Sequence, residues 1–300
     1  MTSTLQGIRL DLKDTEMGIR SPHVAGTFYA GSRERLREQI KWCFCHELGP
    51  GKIPEIERAK PVAGPVALVL PHAGYRYSGP VAAHGFDRLA RQGRPEVAVI
   101  IGTNHTGLGG RVSIGVAGAW ETPLGRMEID SPLAEMILEQ SSVVEAREEA
   151  FAKEHSVEVQ LPFLQYLFGE LEFVPLVCLD QRPETSRELG RAIAEAAQDR
   201  SVALIASSDF SHYEPQDEAE RKDHAAIEQV LKLDLKGFYE VIRREGASIC
   251  GYGPIAAVVE AARILKLQGA ELLKYATSGE ITGDRSAVVG YASIVIGGRR

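Results

Sequence analysis

The sequence predicts an α/β fold: a central mixed, largely parallel sheet with helices on both faces. Three observations predict it. Short, largely apolar runs at 65–70, 97–102, 172–178 and 202–207 read as buried strands. These runs alternate with segments of helical spacing, the rhythm of a sheet covered by helices. Three of the runs also end in a metal-capable polar residue: VALVLPHAGY carries His72, VAVIIGTNH carries His105, and VALIASSDFSHY carries Asp209 and His212. In an open parallel sheet, ligands bind outside the carboxyl ends of the strands. The three endings therefore predict residues converging on one rim.

The elements follow in order. Residues 1–20 read as an N-terminal arm and Ser21–Tyr29 as an irregular entry loop. Ser32 is placed to cap a helix bearing Leu36, Ile40, Cys43 and Phe44 at helical spacing, ended by Gly49-Pro50. Residues 50–62 read as an exposed linker. Strand 65–70 leads through a glycine-rich turn to a helix near 79–92, and strand 97–102 leads to a loop at 103–110. Short strands and turns fill 111–130, around Trp120. Helices are predicted at 131–140 and 156–168, a strand at 172–178, a helix at 184–198 and a strand at 202–207. Helices follow at 217–232, 235–244 and 253–268, then strand-like runs at 271–278 and 286–296, the second suited to an antiparallel edge. No repeat or boundary divides the chain, so residues 1–300 read as one domain.

Composition excludes several classes. A formal net charge of −7 argues against a nucleic-acid surface, which is usually basic. No apolar run approaches the roughly 20 residues of a membrane helix, and the N-terminus shows no secretory h-region. Four cysteines build no disulfide framework, so a reducing, cytoplasmic location is expected. There is no phosphate-binding G-x-x-x-x-G-K-[ST], no G-x-S-x-G elbow, and no dinucleotide G-x-G-x-x-G after a strand.

The residues that carry chemistry are few. Pro71 ends the first buried strand and Gly74 lets the chain turn, which leaves His72 at the strand end, either hydrogen-bonded in place or a ligand. His105 lies in a loop with Gly107, Gly109 and Gly110, which admits a substrate close to the backbone or is merely mobile. His155, in EHSVEVQLPF, either anchors a helix start or faces the crevice as an acid or base; Glu158 reads as a hydrogen-bonded or solvated neighbour. Asp209 and His212 can pair, the carboxylate fixing the imidazole tautomer, or both can face a metal. The alternative is an Asx turn at Asp209. Cys250 precedes Gly251, Gly253 and Pro254 at a helix start, where a thiolate is favoured as ligand or nucleophile. Cys43, Cys45 and Cys178 read as inert, and His23 as able to reach the rim. Imidazole, carboxylate and thiolate together are the donors of a transition-metal site.

Taken together, PHAGYRYSGPVAAHGF, IIGTNHTG, WETPLG, EHSVEVQLPFLQ, SSDFSHY and CGYGPI resemble the Memo family, known in bacteria and archaea as AmmeMemoRadiSam system protein B. The resemblance covers about residues 20–297. It implies a fold similar to the class III extradiol (non-haem iron) dioxygenases, and a cleft metal held by His72, His105 and Cys250, with His155, Asp209 and His212 lining the same cleft. Fe(II), or alternatively Cu, is the implied cofactor. Where those dioxygenases use a carboxylate, the thiolate of Cys250 stands, so ring cleavage does not carry over. Thr106 and Gly253 occupy positions where some relatives have histidine.

Two functions are expected from this. The first is a metal-dependent, dioxygenase-like oxidoreductase acting on a small molecule or peptide, with His155 and His212 moving protons and Asp209 orienting an imidazole. The second is a non-catalytic metal- or peptide-binding component of a pathway with radical SAM and AMMECR-type proteins. A third, weaker reading makes Cys250 a nucleophile with His72 or His212 as base.

Overall fold

A computed structural model describes residues 18–55, 61–62 and 64–298. Of the expected N-terminal arm, residues 1–17 lie outside the described residues, as does part of the 50–62 linker.

The central sheet has nine strands. Its middle is parallel and follows the four apolar runs: β2 (Val66–Leu70), β3 (Val97–Thr103), β8 (Glu172–Cys178) and β9 (Val202–Ser207), in the spatial order β2-β9-β3-β8. Every residue of β2, β3 and β9 is buried, which is why these segments carry no polar alternation. Antiparallel strands flank the parallel core. Beyond β8 stands β4 (Val112–Ile114), antiparallel to it, then β7 (Val144–Ala146). Beyond β2 stands β12 (Val288–Ile296), which also pairs β10 (His212–Glu214) and β11 (Ala270–Thr277). The sheet is therefore mixed, as expected, with one change of place. The AVVGYASIVI run lies inside the sheet, and β11 takes the edge beside it, because Val288 and Tyr291–Val295 are buried. A separate small sheet joins β1 (Ile19–Arg20), β5 (Ala119–Thr122) and β6 (Gly125–Glu128).

Helices flank the sheet. Helix α8 (Tyr252–Ile264), with α5 (Pro183–Ala196) against it, packs across β2, β9, β3 and β8. Helix α2 (Tyr75–Gln92) packs on β2, β12 and β11, with α1 (Arg33–Cys45) and α4 (Leu161–Phe168) against it. The remaining helices are α3 (Ser131–Glu139), α6 (Gln216–Leu231), α7 (Leu235–Glu245) and the short α9 (Ser278–Thr282). Helix α2 starts a turn before the expected 79, at Tyr75, and carries Pro80 inside it. The expected 156–168 helix is a 3-10 turn at Glu158–Gln160 followed by α4, with Pro162 in the first turn of α4.

This order explains the rim. Strand β9 lies between β2 and β3, so the chain leaving β2, β9 and β3 emerges at three adjacent carboxyl ends. Those three exits carry His72, Asp209 and His105.

Candidate metal centre

Three side chains from separate elements meet at this rim. One donor atom each of His72, His105 and Cys250 lies within 4.8 Å of the other two. Cys250 Sγ is 3.3 Å from His72 Nε2. The three imidazoles of His72, His105 and His155 also converge. His105 and His155 stack at 4.5 Å between centroids, and His72 meets both edge-on at 5.3 and 5.4 Å.

Each donor is held by partners that fix its outer face. Behind His72, Gln160 Nε2 donates to both Pro71 O (3.0 Å) and Ser207 Oγ (2.7 Å). The Ser207 hydroxyl in turn donates to Ser156 O at 2.6 Å. One lone pair of Ser207 Oγ remains, and it faces His72 Nδ1 at 3.2 Å. A hydroxyl has one proton to give, so His72 Nδ1 must be the donor, and Nε2 presents its lone pair toward Cys250. The backbone N–H of His72 donates to Asp209 Oδ1 at 2.8 Å, and that of Ala73 to the same oxygen at 3.3 Å.

Behind His105 stands Glu154, a carboxylate with no exposed side-chain surface. It accepts from His105 N at 2.6 Å and from His105 Nδ1 at 3.0 Å. Burial opposes a charge on His105, but hydrogen bonds with Cys250 and Glu154 outweigh it and push its pKa up to about 9. Burial likewise opposes ionisation of Glu154, yet His105 and the backbone amides hold it down at about 2. His155 moves the opposite way, to about 3, because burial and the neighbouring His72 disfavour its cation. His155 is thus a neutral imidazole beside the cluster. The segment 154–156 comes this close because Gly102 has no side chain: a Cβ there would overlap Ser156 Oγ and lie 2.9 Å from Ser156 Cβ.

Cys250 is positioned through its backbone. Its carbonyl accepts from Thr103 Oγ1 (2.9 Å) and Gln181 Nε2 (2.8 Å), while Gln181 Oε1 accepts from Gly253 N (2.7 Å). Its sulfur accepts from Asp209 N at 3.3 Å. Gly253 packs on Gln181, where a Cβ would come within 3.0 Å of the Gln181 backbone. Position 253 is therefore glycine here because Gln181 occupies the space that a side chain would need.

The expected residues divide. His72, His105, Cys250 and His155 come together, and Asp209 braces the turn that carries His72. His212 is not brought into the cluster. It opens β10, its Nδ1 donates to Ser248 O at 2.9 Å, and its backbone amide to Ser248 Oγ at 2.8 Å. Asp209 and His212 do not pair. The carboxylate accepts from the end of β2, while the strand turns the imidazole toward Ser248. The loop of 103–110 is tied by Asn104, whose Oδ1 accepts from Thr106 N (3.0 Å) and Gly107 N (2.9 Å). Glu158 is buried and hydrogen-bonded to the entry loop. Sequence reasoning missed Glu154, Gln160, Gln181 and Ser207. Each acts on a residue far from it in the chain, and only the adjacency of Glu154 to His155, and of Ser207 to the SSDFSH stretch, offered a signal.

The donor set fits a metal ion. Nitrogen and sulfur ligands at about 2.0–2.3 Å from a tetrahedral ion stand about 3.4–3.6 Å apart, close to the 3.3 Å between His72 and Cys250. A second grouping, His105, Glu154 and His155, also lies within 4.8 Å. It is the poorer candidate, because Glu154 Oε1 already accepts from His105 Nδ1 and from the amides of His155 (2.9 Å) and Ser156 (2.8 Å).

The comparisons agree on kinship. The family model described as "Memo-like protein" matches residues 20–295. A MEMO1 family protein of Methanopyrus kandleri is 50% identical over 282 residues, covering 92% of this chain and 98% of the relative. One from Pyrobaculum aerophilum is 51% identical over 283 residues, covering 93% and 99%. Among solved structures, an uncharacterized protein of Escherichia coli K12 superposes with a TM-score of 0.50 at 15% identity, covering 77% of this chain and 99% of that one, a likeness of fold.

Proposed function

Because the chain belongs to the Memo-like family, we propose that its cleft binds a transition-metal ion on His72, His105 and Cys250. The protein is then a non-haem iron (or copper) dependent redox enzyme acting on a small molecule or peptide, with dioxygenase-like chemistry. The observation that carries this reading is the placement of three donor atoms within 4.8 Å, with the outer nitrogens of both imidazoles already engaged. Such an ion, when bound by three protein ligands, supplies open positions and electron-transfer chemistry.

The chain's own residues do the rest. His155 is uncharged at neutral pH and stacks on His105, so it offers a neutral imidazole that hydrogen-bonds a substrate at the metal, while the burial that disfavours its cation makes it a poor base. Asp209 keeps the His72 turn in register by accepting two backbone amides. Ser207 and Gln160 keep the His72 ring in one tautomer. His212 is assigned no contact with the reacting atoms.

One observation favours the second reading, a metal-holding component that serves radical SAM and AMMECR-type partners without turnover. The donor set contains a soft thiolate, and the side chain of His105 is 34% exposed, so an ion there is reachable by a partner. No helix among the described residues is long and apolar enough to cross a membrane. Four unpaired cysteines fit a reducing cytoplasm.

The test is elemental analysis of protein purified without oxygen, beside His72→Ala and Cys250→Ser variants, followed by oxygen-uptake assays with candidate substrates. Near-stoichiometric iron or copper that both variants lose, with turnover, is the expected result. Bound metal without turnover under any atmosphere selects the second reading. No metal in the unmodified protein overturns both.

A further inference from the structure

We propose that Glu154 is a positioning residue that aims His105 at the metal. This rests on the metal reading above and assigns to the centre a residue that does not touch the ion. Four N–H groups converge on this one carboxylate: the His105 amide at 2.6 Å, the His105 ring Nδ1 at 3.0 Å, and the amides of His155 at 2.9 Å and Ser156 at 2.8 Å. An ionised carboxylate only accepts. It therefore dictates that Nδ1 carries a proton and leaves Nε2 as the ligand atom. Holding both the backbone and the ring of His105 fixes the ring plane as well as the tautomer.

The backbone that carries the carboxylate is itself strapped in place. Arg20 donates to Phe151 O and Glu154 O, each at 2.8 Å, and Ser156 Oγ donates to Thr103 O at 3.0 Å. These bonds tie the segment to β1 and to the end of β3. The two imidazole ligands consequently differ: His72 is backed by the Ser207 hydroxyl and His105 by a buried carboxylate.

The experiment compares Glu154→Gln with Glu158→Gln in the full chain. Both carboxylates are buried in the same segment, but the Glu158 side chain bonds Arg20 and the entry loop and leaves His105 alone. A glutamine at 154 cannot accept on both sides: with its NH₂ in place of Oε2 it opposes the His105 backbone N–H, and in place of Oε1 it opposes Nδ1 and the amides of His155 and Ser156. Co(II) affinity, read from the thiolate-to-cobalt absorption, is expected to fall about 10–100-fold in Glu154→Gln. In Glu158→Gln it is expected to stay at the wild-type value. In the Zn(II)-loaded wild type, ring ¹⁵N shifts of His105 are expected to show a metal-bound Nε2 and a protonated Nδ1. Wild-type Co(II) affinity in Glu154→Gln, or an equal loss in both variants, overturns the inference while the metal reading stands. If Glu154→Gln does not fold, the ¹⁵N measurement on the wild type decides, and metal on Nδ1 overturns the inference. A wild type that binds neither Co(II) nor Fe(II) removes the metal reading, and this inference with it.

Discussion

Removing Glu158 should unlock the N-terminal segment from the body of the protein. Its carboxylate has no exposed surface and accepts four hydrogen bonds: Arg20 Nη1 at 2.7 Å, His23 N at 2.9 Å, Val24 N at 2.9 Å and Tyr29 Oη at 2.7 Å. In Glu158→Ala the Arg20 guanidinium, 12% exposed, loses its counter-charge. Breaking a buried pair from one side costs about 3–5 kcal/mol. The Val24 amide and the Tyr29 hydroxyl are left unpaired as well, at about 1–3 kcal/mol each where water cannot reach them. Water entering the space left by the side chain offsets part of this, so the expected loss is about 5 kcal/mol, at the lower limit of the about 5–15 kcal/mol stability of an ordinary domain. The assay is urea denaturation with a double-mutant cycle. Arg20→Met removes the cation, so Arg20→Met/Glu158→Ala should cost at least about 2 kcal/mol less than the sum of the singles. Limited proteolysis of Glu158→Ala should cut first within residues 20–30. Singles that add to within about 0.5 kcal/mol would refute the reasoning, because the pair would then have no energetic coupling.

The remaining predictions concern groups around the same rim. Asp223 is buried, accepts from Ser211 N (3.0 Å), Ser211 Oγ (2.6 Å) and Tyr275 Oη (2.7 Å), and is pushed by burial up to about 6. A carboxyl raised on folding stabilises the fold below its unfolded pKa, and that stabilisation fades as pH rises through 6. Stability curves of wild type and Asp223→Asn should therefore diverge by about 2 kcal/mol between pH 4 and 7, and parallel curves would count against the assignment. Gly102→Ala should lower the melting temperature by overpacking Ser156, at about 1–3 kcal/mol, and weaken metal binding by displacing Glu154. An unchanged metal affinity would show that the 154–156 segment tolerates movement. Ser207→Ala should leave His72 Nδ1 without its acceptor and lower metal affinity by about 10-fold, read by competition with a chelator; wild-type affinity would contradict the tautomer assignment.

The fold was legible where the chain is monotonous. β2, β3 and β9 are buried along their whole length, so their sequences are apolar up to the last residue of β3 and β9, and their ends mark where the rim residues stand. Legibility failed where a segment's fate depends on what lies beside it. AVVGYASIVI carries enough polar and small residues to pass for an edge, yet Ser293 and Tyr291 are buried between neighbours that no local pattern reveals. The pairing of Asp209 with His212 looked local because they stand three positions apart. In the structure the carboxylate reaches across to His72, 137 residues away, and the strand geometry of β10 carries His212 toward Ser248. Glu154 was invisible for the same reason: its ring partner lies 49 residues earlier.

The thiol nucleophile reading can be weighed against the metal reading from the same geometry. A Cys250 sulfur 3.3 Å from His72 Nε2 suits either one. So does the Asp209 amide pointing at the sulfur, since it stabilises a thiolate in both. The imidazole of His105 separates them. A nucleophile needs one base and one group to orient it, and His72 with Ser207 already supplies both. A second imidazole, held by a buried carboxylate and within 4.8 Å of both the other donors, has no task in that chemistry. It would even oppose a second cation, because His72 and His105 meet edge-on at 5.3 Å. Coordination, as proposed, would give all three donors one purpose, since the two rings and the sulfur would each present a lone pair to the same ion. The buried carboxylate of Glu154, costly if it did nothing but fasten a loop, would on that reading serve the centre by holding His105.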